Sequence, residues 1–401
     1  MDPMRYRPDF PLFEDENRED KIIYFDNACM TLRPGPVIEK VMEYYSEYPG
    51  CGGRSLHRIS SRVTEEYEAA RDIIARFIGA PDRDGIVFTK NTTEAINLIS
   101  HSLRFKKGDR VLGTDHEHNS NLVPWVHMMN RGLIDYEPVP SNPDNTFNLE
   151  KFKEMIPGTR LVSMVHVSNL DGTTIPARDV VDIAHDHGAI VLLDCAQSIP
   201  HMKMDMEGLD VDLIAFSGHK AMGPTGTGVL AGKLDLMKEL DPYIVGGDTV
   251  RETGYDKVEF LDPPKKFEAG LQHYPGFIGL GAALEYLKRI GMDEVHQHEL
   301  DLNGYATGKL KDLVRIIGPE DHRKRSGIIP FQVENLNSHD VAMMLDEMAN
   351  IAIRSGRHCV HSWFNARSED STARASFYIY NTVDEIRLMA ETLGSIIEDF
   401  T

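Results

Sequence analysis

Ile190-Val191-Leu192-Leu193-Asp194-Cys195-Ala196-Gln197 and Leu213-Ile214-Ala215-Phe216-Ser217-Gly218-His219-Lys220 decide how this chain is read. Each opens with an apolar run of strand length, and such short runs read as buried β-structure. Each run then delivers one reactive side chain into the loop that follows, a carboxylate in the first case and a lysine in the second. A glycine-rich turn, Gly223-Pro224-Thr225-Gly226-Thr227-Gly228, closes the second segment.

Working outward, the same alternation of strand-like and helix-like segments runs from about Tyr24 to Glu268. Ile86-Val87-Phe88-Thr89 reads as a strand, Asn91-Thr92-Thr93-Glu94 as a turn, and Ala95-Ile96-Asn97-Leu98-Ile99 as a helix start, with Thr92 or Thr93 as its N-cap. Arg110 to Gly113, Leu161 to Val165 and Ala189 to Leu193 are further strand-like runs. The expectation is an α/β fold with a mostly parallel sheet covered on both faces. After Gly270 the pattern changes. Helical stretches at Phe277–Ile290 and Val295–Leu313 precede strand-like runs at 328–333, 351–354 and 374–379, with helices at 339–348 and 383–399. A chain of 401 residues is expected to form two domains. The large one spans 24–270, and a smaller α+β domain takes 271–401 together with 1–23.

The formal net charge of −20 argues against nucleic acid or an anionic membrane as partner. No apolar run reaches membrane-spanning length, and Met1 to Asp20 contains no apolar leader core. The four cysteines, at 29, 51, 195 and 359, have neither paired nor zinc-finger spacing. So few, so scattered, they fit a reducing compartment, and a cytoplasmic location is expected.

A strand-end aspartate and a strand-end lysine in neighbouring loops are what a pyridoxal phosphate site requires. Lys220 would form the Schiff base, and Asp194 would keep the pyridine nitrogen protonated so that the ring can accept electrons. Two readings fit Thr92 and Thr93, a plain helix cap and a phosphate cradle; the lysine loop, with Ser217 and His219, draws the second. Asp115-His116-Glu117-His118-Asn119 follows a strand and offers an imidazole to stack on the ring. A metal would need a third ligand at useful spacing, and none is found, so no metal is expected. In Arg354-Ser355-Gly356-Arg357-His358-Cys359, the thiol has Arg357 and His358 as cationic neighbours within a loop, surroundings that favour a nucleophilic thiolate. Arg374, at a strand start, is a candidate clamp for a substrate carboxylate.

Taken together, Tyr24-Phe25-Asp26-Asn27-Ala28, Thr92-Thr93-Glu94, Glu117-His118, His166-Val167-Ser168-Asn169, Phe267-Glu268-Ala269-Gly270 and Arg374-Ala375-Ser376 join the segments above. With them the chain resembles fold-type I pyridoxal phosphate enzymes of the class V aminotransferase group, and most closely the group II (SufS-like) cysteine desulfurases. The resemblance implies roles residue by residue. Lys220 holds the cofactor covalently, Asp194 pairs with the ring nitrogen and His118 stacks on the ring. Gln197 and Asn169 approach the cofactor oxygen and the substrate. Thr92, Thr93, Ser217 and His219 serve the phosphate. Arg374 binds the substrate carboxylate with His57 and Arg354 nearby, and Cys359 takes sulfur.

The implied activity converts L-cysteine to L-alanine through a persulfide on Cys359. The sulfur would pass to an acceptor protein for iron–sulfur cluster or thio-cofactor and RNA synthesis, and the enzyme would be a homodimer. The alternative is another class V enzyme without persulfide chemistry: a selenocysteine lyase, an aminotransferase or an epimerase. Three departures stand out. Leu271 replaces a threonine of the family pattern, Arg357 and His361-Ser362-Trp363 alter the cysteine loop, and Cys29 and Cys51 have no assigned counterpart.

Overall fold

The apolar runs become a seven-stranded sheet because they can be buried on both sides. The computed structural model describes residues 1–14 and 21–400. The strands are β1 (Ile86–Thr89), β2 (Arg110–Thr114), β3 (Asp135–Val139), β4 (Thr159–Val165), β5 (Ile190–Asp194), β6 (Leu213–Ser217) and β7 (Gly228–Gly232). Their order across the sheet is β1-β7-β6-β5-β4-β2-β3. All pairings are parallel except those that β7 makes with β1 and β6.

Successive side chains point to opposite faces, and the two faces meet different helices. Ile86 and Phe88, Val191 and Leu193, and Ile214 and Phe216 share a core with helices Arg58–Phe77, Ala177–Asp186 and Tyr274–Ile290. Val87, Leu192, Leu213 and Ala215 share another with helices Thr92–Ser102 and Asn119–Asn130. Burial on both sides is why these strands read as continuous apolar runs rather than alternating ones.

A second sheet, antiparallel throughout, orders Arg315–Ile316, Ile328–Gln332, Thr372–Ser376 and Arg354–Gly356. Helices Met292–Leu310, Ser338–Ala349 and Val383–Phe400 complete this unit, whose core includes Leu302, Phe331, Leu345 and Leu393. Ile23–Tyr24 pairs in parallel with Ile351–Ala352, and Asp26 bridges to Ser376, so residues 23–26 join the smaller unit past the boundary expected at 24, whereas Phe10, expected with the smaller unit, packs in the large core. The division expected at 270/271 falls ahead of helix Tyr274–Ile290, whose buried face belongs to the large core. Residues 15–20 of the expected 1–23 portion lie outside the described residues. Among those described, no helix is long and apolar enough to cross a membrane.

Candidate active site

Five parallel strands end on one edge of the large sheet, where open α/β sheets place their ligand sites. β1 leads to Asn91-Thr92, β2 to His118, β4 to Asn169, β5 to Asp194 and Gln197, and β6 to Lys220. With Arg354 and Arg374 from the second sheet they enclose a cavity of about 230 Å³.

At one end stands the start of helix Thr92–Ser102. Its N-cap is Asn91, whose side chain accepts from Glu94 N at 2.9 Å; the cap expected at Thr92 or Thr93 falls one position earlier. That leaves both threonine hydroxyls for other partners. Thr92 Oγ1 meets Ser217 Oγ at 2.7 Å, and Thr93 Oγ1 meets Ser120 Oγ at 2.6 Å. Gly228 lets this turn approach the sheet, because a Cβ there would lie 2.5–2.7 Å from Asn91 backbone atoms. Hydroxyls gathered at a helix N-terminus suit an anion such as a phosphate.

In the floor, Asp194 is buried and one of its carboxylate oxygens accepts from Ala196 N at 3.0 Å. Burial raises its pKa, opposed by the Ala196 amide and by the charge of Lys220. Burial likewise lowers the pKa of the Lys220 ammonium, with Asp194 acting in the opposite sense. Among the described residues Lys220 Nζ has no hydrogen-bond partner. His118 caps helix Asn119–Asn130, its Nδ1 accepting from Ser120 N at 3.1 Å. Burial first, then the charges of Lys220, Arg354 and Arg374, lower its pKa to about 3, so the ring facing the cavity is neutral. Glu117 holds this loop from below by accepting from Thr114 N, Val165 N and Asn121 Nδ2 at 2.7–3.1 Å.

On the opposite wall, Arg374 is fully buried. Its Nη1 donates to the Asn169 carbonyl at 2.7 Å, and Nη2 faces Asp26 Oδ1 at 3.4 Å. Arg354 lies directly across the strand pair from Arg374. Like charges placed opposite one another are destabilising unless an anion answers them. Asp26 supplies part of that answer, and sequence reasoning quoted it without giving it a role.

Two expected residues stand outside the cavity wall. Cys359 lies one layer behind it. Arg354 Nη2 approaches its Sγ at 3.7 Å, Asn169 Nδ2 donates to the His358 carbonyl at 2.7 Å, and Asn119 N donates to the Cys359 carbonyl at 2.7 Å. The cation beside the thiol is therefore Arg354, not the two neighbours the sequence suggested. Arg357 turns away to Asp370 O and Asn365 Oδ1, and buried His358, its pKa lowered by burial, meets Thr372 Oγ1 at 2.7 Å. His57 stands apart within the single chain. It is exposed and caps helix Arg58–Phe77 by accepting from Ser60 N at 3.2 Å. Leu271 also lies outside, 68% exposed.

The wall carries unspent polar atoms. Among the described residues, Asn169 Oδ1, Gln197 Oε1 and Arg374 Nε are buried without a hydrogen-bond partner. Buried polar groups are almost always paired, so these atoms point to a polar ligand. A phosphate at the Thr92 turn, a protonated ring nitrogen at Asp194, a ring face against neutral His118 and a carbonyl carbon at Lys220 would satisfy the set. The residues present fit pyridoxal phosphate.

The chain matches the model of the aminotransferase class-V family over residues 23–389. A protein named probable cysteine desulfurase from Halalkalibacterium halodurans is 39% identical over 98% of this chain and 97% of its own length. One of the same name from Halobacterium salinarum is 39% identical over 96% and 94%. Among solved structures, the apo cysteine desulfurase of Thermococcus onnurineus superposes with a TM-score of 0.95 at 36% identity, covering 99% of this chain and 98% of that one. The S-sulfonic acid form of the cysteine desulfurase CsdA from Escherichia coli superposes with a TM-score of 0.92 at 31% identity, covering both chains fully. Family model, relatives and cavity agree, and the chain belongs to the class V aminotransferase family.

Proposed function

We propose that this protein is a pyridoxal phosphate-dependent cysteine desulfurase, working as a homodimer, that moves sulfur from L-cysteine to Cys359 and leaves L-alanine. The observation that carries the reading is the thiol behind the carboxylate clamp: Cys359 Sγ stands 3.7 Å from Arg354 Nη2, and Arg354 lines the cavity with Lys220 and Arg374. The names of the similar proteins support the same activity.

Bound in the cavity, pyridoxal phosphate supplies an electron sink that labilises the substrate's Cα–H and Cβ–S bonds. The protein does the rest. Arg374 and Arg354 orient the substrate carboxylate by charge-assisted hydrogen bonds. Lys220 Nζ, its basicity tuned by burial, accepts and returns the Cα proton. Neutral His118 gives the ring a face without adding positive charge. The Cys359 thiolate then attacks the substrate sulfur. An S–S bond forms, the Cβ–S bond breaks with its electron pair staying on the carbon side, and Cβ gains a proton. Cysteine plus thiol thus becomes alanine plus persulfide, with no outside oxidant.

The persulfide sulfur passes to an acceptor protein for iron–sulfur cluster or thio-cofactor synthesis. For the homodimer, Ile38, Met42 and Tyr45 form one exposed stripe on helix Gly35–Glu47, each 43–62% exposed, an apolar face that self-association would cover. The test of the activity is product identity. The wild type should yield alanine from L-cysteine, whereas Cys359→Ser should bind cysteine and make none. Alanine at the wild-type rate from that variant would refute the proposal.

A further inference from the structure

One thiol in the cavity has no part in the reaction as proposed. Of the four cysteines only Cys29 belongs to the cavity wall, beside Lys220, Arg354 and Arg374, and it keeps part of its surface exposed. It closes a turn in which Cys29 N donates to Asp26 O at 3.1 Å, and its thiol lies beside the Asp26 carboxylate. Asp26 in turn faces Arg374 Nη2 at 3.4 Å. Thiol, carboxylate and guanidinium stand in sequence as a nucleophile, its base and the group that orients the base. Burial raises the Asp26 pKa, which favours proton acceptance. A second observation points to a ligand at this end: fully buried Arg374 has an Nε without a hydrogen-bond partner among the described residues. By contrast, Cys195 is sealed in the core and burial pushes its thiol up.

We infer that Cys29 is a second nucleophilic thiol of the cavity, served by Asp26, which reacts with short carboxylates bearing a leaving group on the adjacent carbon. This rests on Arg374 and Arg354 receiving a carboxylate, as in the reading above. The carboxylate docks on the guanidiniums and the Cys29 sulfur bonds to the neighbouring carbon. The bond from that carbon to the leaving group breaks, and its electron pair departs with the halide. The thiol proton passes to Asp26.

The test compares iodoacetate with iodoacetamide on the holoenzyme, mapping labelled peptides by mass spectrometry. Cys51, outside the cavity wall, serves as the internal standard. A charge-assisted, two-pronged contact predicts a Cys29-to-Cys51 labelling ratio at least about tenfold higher with iodoacetate. Saturating L-alanine and Asp26→Asn should each lower it. Equal ratios for the two reagents at Cys29, with carboxylate selectivity kept at Cys359, overturn this inference alone. A ratio unmoved by Asp26→Asn also overturns it. Loss of selectivity at both thiols overturns the clamp reading as well.

Discussion

Replacing Arg374 with alanine separates substrate binding from folding. Among the described residues the buried guanidinium spends two contacts on the protein, at 2.7 Å to the Asn169 carbonyl and 3.4 Å to Asp26, and keeps Nε unpartnered. A substrate carboxylate docked there makes a two-pronged, charge-assisted contact whose loss costs about 2–4 kcal/mol. The L-cysteine concentration needed for half-saturation should then rise roughly 30-fold or more. The assay is titration of the loaded protein with L-cysteine, followed through the visible spectrum of the cofactor. Removing the guanidinium also strands the partly buried Asp26 carboxylate, so the variant should lose stability. Asp26→Asn added to Arg374→Ala should restore the denaturation midpoint without restoring affinity, a separation that a purely structural role does not produce. Half-saturation of Arg374→Ala at the wild-type concentration would refute the reasoning and move the clamp to Arg354.

Lys220→Ala should remove the yellow absorbance of lysine-bound cofactor and its retention after borohydride reduction; an unchanged band would show that another amine holds it. Gly228→Ala pushes a methyl group to within 2.5–2.7 Å of the Asn91 backbone, so the Thr92 turn must shift and the cofactor should dissociate more readily, measured by equilibrium dialysis. His118, His166 and His219 are held neutral, chiefly by burial, with pKa values lowered to about 3, 4 and 4. At these three histidines the unfolded chain binds more protons than the folded one between those values and about 6.5, so their contribution to stability is full above about 6.5 and falls with pH below it. Denaturation midpoints taken between about pH 7 and 4.5 should decline accordingly, and His118→Gln should flatten part of the decline.

Much of this arrangement is legible in the sequence because the central strands are buried on both faces. β1, β5 and β6 are continuous apolar runs, and each ends in a residue whose position follows from the strand. β3 escapes such reading because it is an edge strand, Asp135-Tyr136-Glu137-Pro138-Val139, with three exposed positions and a proline. β7 escapes because glycines bound it, and the close approach of Asn91 that requires Gly228 is visible only in three dimensions. The pairing of Asp26 with Arg374 joins residues 348 apart, and no local pattern signals it. The loop read from the sequence around Cys359 is confined to Arg357–Val360, since Arg354–Gly356 is a strand and His361–Arg367 a helix, and the cation beside the thiol is not one of its neighbours in the chain. His358 and Cys359 both adopt left-handed backbone angles, φ 48° and 60°, in the turn that sends Arg357 outward and leaves Arg354 beside the thiol.

The central claim is that Cys359 receives the sulfur. The direct measurement is the mass of the peptide containing Cys359 after brief exposure of the holoenzyme to L-cysteine without reductant. The account predicts one added sulfur atom on Cys359, absent in Cys359→Ser. An unmodified Cys359, with the added sulfur found only at Cys29 or Cys51, would contradict it.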